Sequence, residues 1–72
     1  MTAQQEQDIN NRFTYHPPKG DQMERYAEMR EMVRVLAIHI ASNTQFSREQ
    51  SLALTYLDQV MFAANAAIAR NE

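Results

Sequence analysis

Between Phe13 and Lys19 the chain gathers three rings (Phe13, Tyr15 and His16), two prolines and a lysine, just ahead of a helix start. Aromatic faces stack on nucleobases, and a lysine beside exposed helix-start amides attracts phosphate. The same rings also suit a second role, as anchors pinning the N-terminal arm onto a neighbouring hairpin. Pattern leaves both open, and both can hold if Phe13 anchors while Tyr15 stacks. Further along, Arg30 and Arg34 form an i,i+4 basic pair that either binds an anion or pairs in solvent with Glu28 or Glu31. Arg34 interrupts an apolar stretch, which suits the rim of a subunit interface. Arg70 lies in the last turn of its helix, where a cation complements the dipole. Asn65 interrupts an alanine-rich run, either as a buried amide that sets register or as an amide that faces a ligand. His39, in the apolar half of the first long helix, reads as a hydrogen-bonded interface residue.

Catalysis finds little to work with. A hydrolytic triad needs a hydroxyl, a histidine and an orienting acid, but Ser47 reads as a helix cap, and Ser42 and Ser51 have no second histidine nearby. Glu24 and Glu28 could be read as an acid/base pair; an acidic first turn is the ordinary complement of the helix dipole. A single glycine cannot build a phosphate-binding loop. With no cysteine, and with His16 and His39 far apart, neither a disulfide, a metal site nor a cofactor is expected. The expectation is a protein that is not an enzyme.

These residues need a frame, and the frame reads as all-α. Residues 1–12 are polar and Gln/Asn-rich, a short helical arm or a disordered one, with Ile9 as the only apolar anchor. The diproline forces His16 and Pro17 toward extended backbone, so no helix crosses it. Gly20 permits a sharp turn. Asp21 with Glu24 has the form of a capping box, and so has Ser47 with Gln50, where Phe46 is placed to act as a hydrophobic staple. Helices over 21–43 and 48–70 follow, joined by a turn short enough to make an antiparallel hairpin spanning 13–72. Each helix would be about 33 Å long, from roughly 22 residues at ~1.5 Å each. Tyr26, Met29, Val33, Leu36 and Ile40 mark one seam. Ala53, Leu57, Val60, Ala64 and Ala67 or Ile68 mark the other. Met32, Val35, Ile38, Leu54, Met61 and Phe62 fall outside these stripes.

A helix apolar beyond one stripe is buried on more than one side, and a lone hairpin partner cannot supply that cover. At 72 residues, without cysteine or metal, the missing stability is expected from self-association. The formal charge of -2 disfavours duplex DNA or RNA, which calls for a basic face. No run approaches the roughly 20 apolar residues of a membrane span, and the polar, acidic start lacks the apolar core of a signal peptide. The expected setting is soluble, in the cytoplasm.

Specific runs also carry a resemblance. Asn11-Arg12-Phe13-Thr14-Tyr15-His16-Pro17-Pro18-Lys19-Gly20-Asp21-Gln22, then Arg25-Tyr26, Ser47-Arg48-Glu49, Ser51-Leu52-Ala53-Leu54-Thr55 and Ala63-Ala64-Asn65-Ala66-Ala67-Ile68-Ala69-Arg70-Asn71 together resemble a family of phage proteins. That family comprises helical hairpins and includes the anti-CBASS and Thoeris anti-defence sponges; the likeness covers residues 11 to 72. It implies a homo-oligomer, commonly a hexamer, that sequesters cyclic di- and trinucleotide immune messengers without cleaving them, inside an infected bacterial cell. Tyr15 would be the ligand-facing aromatic and Arg30 or Arg34 the basic partner, with arginine standing at Arg34 where relatives often carry lysine. Arg70 would serve a separate pocket on a three-fold axis. His16, Lys19 and Asn65 complete the candidate binding set. Three other readings compete with the sponge: an oligomeric helical inhibitor of a host protein, a small DNA-binding dimer, and an enzyme that degrades the messenger.

Overall fold

The computed structural model describes all 72 residues as three helices: α1 (Ala3–Arg12), α2 (Gln22–Asn43) and α3 (Arg48–Asn71). Helix α1 resolves the open question about the arm. Thr2 caps it: its hydroxyl accepts from the Gln5 amide at 3.0 Å while the Gln5 side chain takes the Thr2 N–H at 2.8 Å. Two orphan amide donors are thereby satisfied at once.

Helix α1 ends at Arg12, the prolines keep His16 and Pro17 out of any helix, and a turn at Gly20 starts the next region. Gly20 holds φ +57, a left-handed conformation that glycine adopts without steric strain. The capping box expected of Asp21 and Glu24 is absent. Asp21 makes no side-chain cap, and its carboxylate meets Arg25 instead. Here the tight Lys19–Gln22 turn closes by its own backbone bond, and the Gln22 side chain takes the Lys19 N–H. At the hairpin turn, Ser47 caps α3 through the Gln50 amide at 3.1 Å, so half of the expected box forms. The other half does not. Gln50 turns away to Ala41 O, Thr44 O and Thr44 Oγ1, where it serves the orphan carbonyls at the end of α2. Thr44 and Asn43 do the same for Ile40 O and His39 O. Phe46 is no staple within the chain: it stands 92 % exposed at the tip.

Helices α2 and α3 pack as the expected antiparallel hairpin. On α2 the half-buried line is Tyr26, Met29, Val33, Ala37 and Ile40, so Ala37 replaces Leu36 in the seam. On α3 it is Leu54, Leu57, Met61, Ala64 and Ile68. Leu54 and Met61, expected off the seam, are in it, while Val60 and Ala67 are outside. The reason is one step of phase: the heptad starting at Leu54 brings larger side chains to α2 than the one starting at Ala53.

The molecule has almost no interior. Only Gln22 and Ile68 are buried, and thirteen large apolar side chains are exposed. It is a slab of 48 × 32 × 13 Å, little more than one helix thick. Its radius of gyration is 15.9 Å, where a compact chain of this length reaches about 11 Å. Its surface of 5927 Å² exceeds by about 1,300 Å² the ~4,600 Å² of a compact 8.4 kDa monomer. Helix α3 is long and apolar enough to cross a membrane, with a mean hydropathy of 1.3 over its richest stretch. Alanines raise that average although Asp58, Gln59 and Asn65 interrupt every long apolar run.

Candidate functional site

Antiparallel pairing returns the end of α3 to the start of α2, so residues far apart in sequence meet at one end of the slab. Helix α1 is fastened there too. Asn11 Nδ2 donates to Arg70 O at 3.1 Å, Arg70 Nη2 donates to Arg12 O at 3.4 Å, and His16 Nε2 lies 2.8 Å from Asn11 O. The diproline holds His16 over this junction. Thr14 Oγ1 adds a bond back to Asn10 O.

Beside the junction lies an open groove of about 440 Å³, lined by His16, Tyr26, Arg30, Asn65, Ala66, Ala69 and Arg70. Four of the seven candidate residues therefore come together: His16, Arg30, Asn65 and Arg70. Ala66 and Ala69 make room, since a larger side chain at either position would fill the floor. Neither Arg30 nor Arg70 has a carboxylate within ion-pair distance, which distinguishes them from Arg12, Arg25 and Arg34. Two guanidinium groups, a phenol, an imidazole and an amide thus border a single concavity. Such a set can hold a planar base and accept phosphate oxygens. The Asn65 Oδ1 atom is buried without a hydrogen-bond partner, so its amide lies at the groove's inner edge.

The neighbouring groove, about 260 Å³, is lined by His16, Pro17, Pro18, Lys19, Gln22, Ala69 and Glu72. Lys19 is here. An internal anion already occupies this edge: Glu72 accepts from Arg25 at 2.6 and 2.8 Å and from Gln22 Nε2 at 3.5 Å. The Arg25 hydrogen bonds hold the Glu72 carboxyl below its ordinary range, and the same contact raises Arg25 further above its own.

Tyr15 and Arg34 lie apart from both grooves. Tyr15 is 81 % exposed beside the diproline. Arg34 stands one turn beyond Arg30 and is engaged by Glu31 in a bidentate pair at 2.7 and 2.9 Å. That pair lowers the Glu31 carboxyl and raises Arg34. Tyr26 is the groove residue that sequence reasoning placed only in the packing seam. Its i,i+4 spacing from Arg30 was the available signal. No three metal-ligating side chains converge anywhere in the chain. A third concavity, formed by Met1, Gln5, Asp8, Ile9, Arg12 and Phe13, is lined only by α1 and the residues that flank it.

A family model, the Acb2/Tad1 hairpin domain, matches residues 5–69. The chain belongs to the Acb2/Tad1 family. This is the family of anti-CBASS and anti-Thoeris sponges. The match takes in most of α1, the diproline, all of α2 and most of α3, so every side chain of the Arg30 groove except Arg70 lies within it. No curated protein and no solved structure matches the chain.

Proposed function

We propose that this Acb2/Tad1 protein is a phage anti-defence sponge that binds cyclic di- and trinucleotide messengers without cleaving them and so blocks CBASS-type immunity. It works as a homo-oligomer, with six chains the expected number, in the cytoplasm of the infected bacterium. The family match over residues 5–69 carries the reading. The groove supplies matching chemistry: Arg30 and Arg70 are unpaired cations that can take phosphates, while Tyr26, His16 and the exposed Tyr15 can face bases. The flat shape and the exposed apolar surface support self-association, because a slab this thin cannot cover its own side chains.

The test is native mass spectrometry after incubation with cyclic GMP-AMP and a cyclic triadenylate, followed by heat release of the nucleotide. The expected outcome is a multimer carrying ligand, with the nucleotide recovered intact. Linear products would overturn the sponge in favour of an enzyme, and absence of any bound nucleotide would remove it. One observation favours a second reading, an oligomeric inhibitor of a host protein: Phe13, Tyr15 and Phe46 are strongly exposed rings. Pull-down of one host protein, competed by neither nucleotide, would select it.

A further inference from the structure

The groove beside the diproline holds an anion supplied by the chain itself. Arg25 meets the Glu72 carboxylate with both arms, Nη1 to Oε1 at 2.6 Å and Nη2 to Oε2 at 2.8 Å. A guanidinium takes two oxygens of a phosphate with the same fork. Gln22 is built into this contact. Its side chain is buried, its oxygen accepts the Lys19 N–H at 3.1 Å, and its Nε2 is thereby turned donor-first toward Glu72, 3.5 Å away. Lys19 lines the groove as well, yet it makes no ion pair. The Glu72 carboxyl, held low by its Arg25 bonds foremost, also feels the charge of Lys19. A carboxylate has two oxygens, and Arg25 uses both. The donors gathered here exceed what their present occupant can accept.

We propose that Lys19, Gln22 and Arg25 form a phosphate-binding site that the chain holds closed with its own Glu72. The ligand is a phosphate oxyanion, free in solution or carried on a nucleotide seated in the adjoining groove. A terminal phosphate brings about three acceptor oxygens and roughly −1.5 to −2 charge, enough to engage all three side chains where Glu72 engages two. Access supports the site. Arg25 and Glu72 are each 39 % exposed, so a dissolved anion reaches them in the folded chain. Glu72 is the cap residue of α3, and swinging its side chain out leaves the helix in place. The groove of about 260 Å³ shares His16 and Ala69 with the Arg30 groove, so Arg30 and Arg70 add to the attraction. Asp21 competes only for one arm of Arg25, through a longer contact at 3.4 Å. A tethered carboxylate has an effective concentration on the order of millimolar, so a free anion must reach that range to displace it. Such a site exists whether or not the protein is a sponge.

Inorganic pyrophosphate and cyclic GMP-AMP, titrated calorimetrically, are the two probes. Glu72→Gln keeps the shape of the side chain and removes its charge, and it should bind a probe several-fold more tightly than the wild type. Adding Lys19→Gln should remove most of that gain. Glu49→Gln, an equal loss of charge in the first turn of α3, should give none. In the wild type, millimolar pyrophosphate should shift the NMR signals of the Gln22 side-chain amide and the Arg25 guanidinium. The proposal is overturned if Glu72→Gln, with its helical circular dichroism intact, binds neither probe more tightly, or if Glu49→Gln gains as much. Should Glu72→Gln not fold, wild-type signals that stay in place overturn it. A gain for pyrophosphate alone assigns the site to a free anion, and a gain for cyclic GMP-AMP assigns it to a phosphate of the messenger. A pyrophosphate gain with no heat from cyclic GMP-AMP in any variant upholds the site and removes the sponge reading, so the two fail separately.

Discussion

Arg30 and Arg34 are one helical turn apart, yet the structure makes them unequal, and replacing each with alanine should expose the difference. A charge-assisted hydrogen bond to a phosphate contributes about 1.5–3 kcal/mol. Arg30 lines the groove and has no carboxylate to leave, so Arg30→Ala should lose that amount, a weakening of roughly 10- to 150-fold for a cyclic dinucleotide. Arg34 must first give up its bidentate contact with Glu31. Both side chains of that pair are 59 % exposed, so solvent screens the contact and it offsets only part of a phosphate bond. Arg34→Ala should therefore weaken binding by a smaller factor than Arg30→Ala. Isothermal titration of cyclic GMP-AMP into the wild type and both variants, at matched salt, reads the ratio directly. Sedimentation confirms that the multimer is intact in each. A loss in Arg34→Ala equal to or greater than that in Arg30→Ala would refute the groove as the dinucleotide site.

Tyr15→Ala should weaken cyclic dinucleotide binding by roughly 5- to 150-fold, since stacking one base on an aromatic contributes about 1–3 kcal/mol; if it instead dissociates the multimer, Tyr15 is an anchor and not a stacking platform. The contact between Arg25 and Glu72 should matter only above acidic pH. Arg25 holds the Glu72 carboxyl below the unfolded value near 4.5, so its stabilisation is complete above that value and is lost as pH falls through the folded one. Thermal melts below about pH 5 should show Glu72→Gln losing part of the wild-type acid dependence, and parallel acid curves would show that the clasp does not form. Thr2→Ala should loosen α1, because ten residues is shorter than the ~12–15 an isolated helix needs. A lost cap costs about 1 kcal/mol. Hydrogen exchange should speed up at the Gln5 amide and stay unchanged in α3, and an unaltered Gln5 rate would show that the cap is idle.

Much of the scaffold is legible in the sequence because its signals are local. The diproline bars a helix from crossing it wherever the rest of the chain lies, Gly20 permits its turn, and Ser47 caps α3 through a neighbour three residues away. Periodic apolar residues announce two long helices, and their surplus of exposed large side chains is visible as Met32, Val35, Ile38 and Phe62 lying off any single stripe. Arg30, Arg70 and His16 could be named as site residues on type alone, whereas Tyr26 could not. The family was also legible, since runs such as Phe13–Gln22 are contiguous in the chain and are read without the fold.

What tertiary structure decided was which of these residues meet and which are already engaged. The phase of the hairpin, set by the fit of Leu54, Leu57, Met61 and Ile68 against α2, moved Val60 and Ala67 out of the seam. No local pattern separates seams that differ by one residue, because the competing packings differ only in side chains contributed by the other helix. Asp21 reads as a cap by type, but the turn directs its carboxylate to Arg25, and Gln22 takes over the nearby backbone donor. Arg30, Arg34 and Arg70 look alike as text. Only the fold places Arg30 and Arg70 in one groove with Tyr26 and leaves Arg34 paired to Glu31. A charge is defined by its residue, but its availability depends on what lies within a few ångströms of it, and around Arg30 those neighbours include Asn65, Ala66, Ala69 and Arg70 from the other helix.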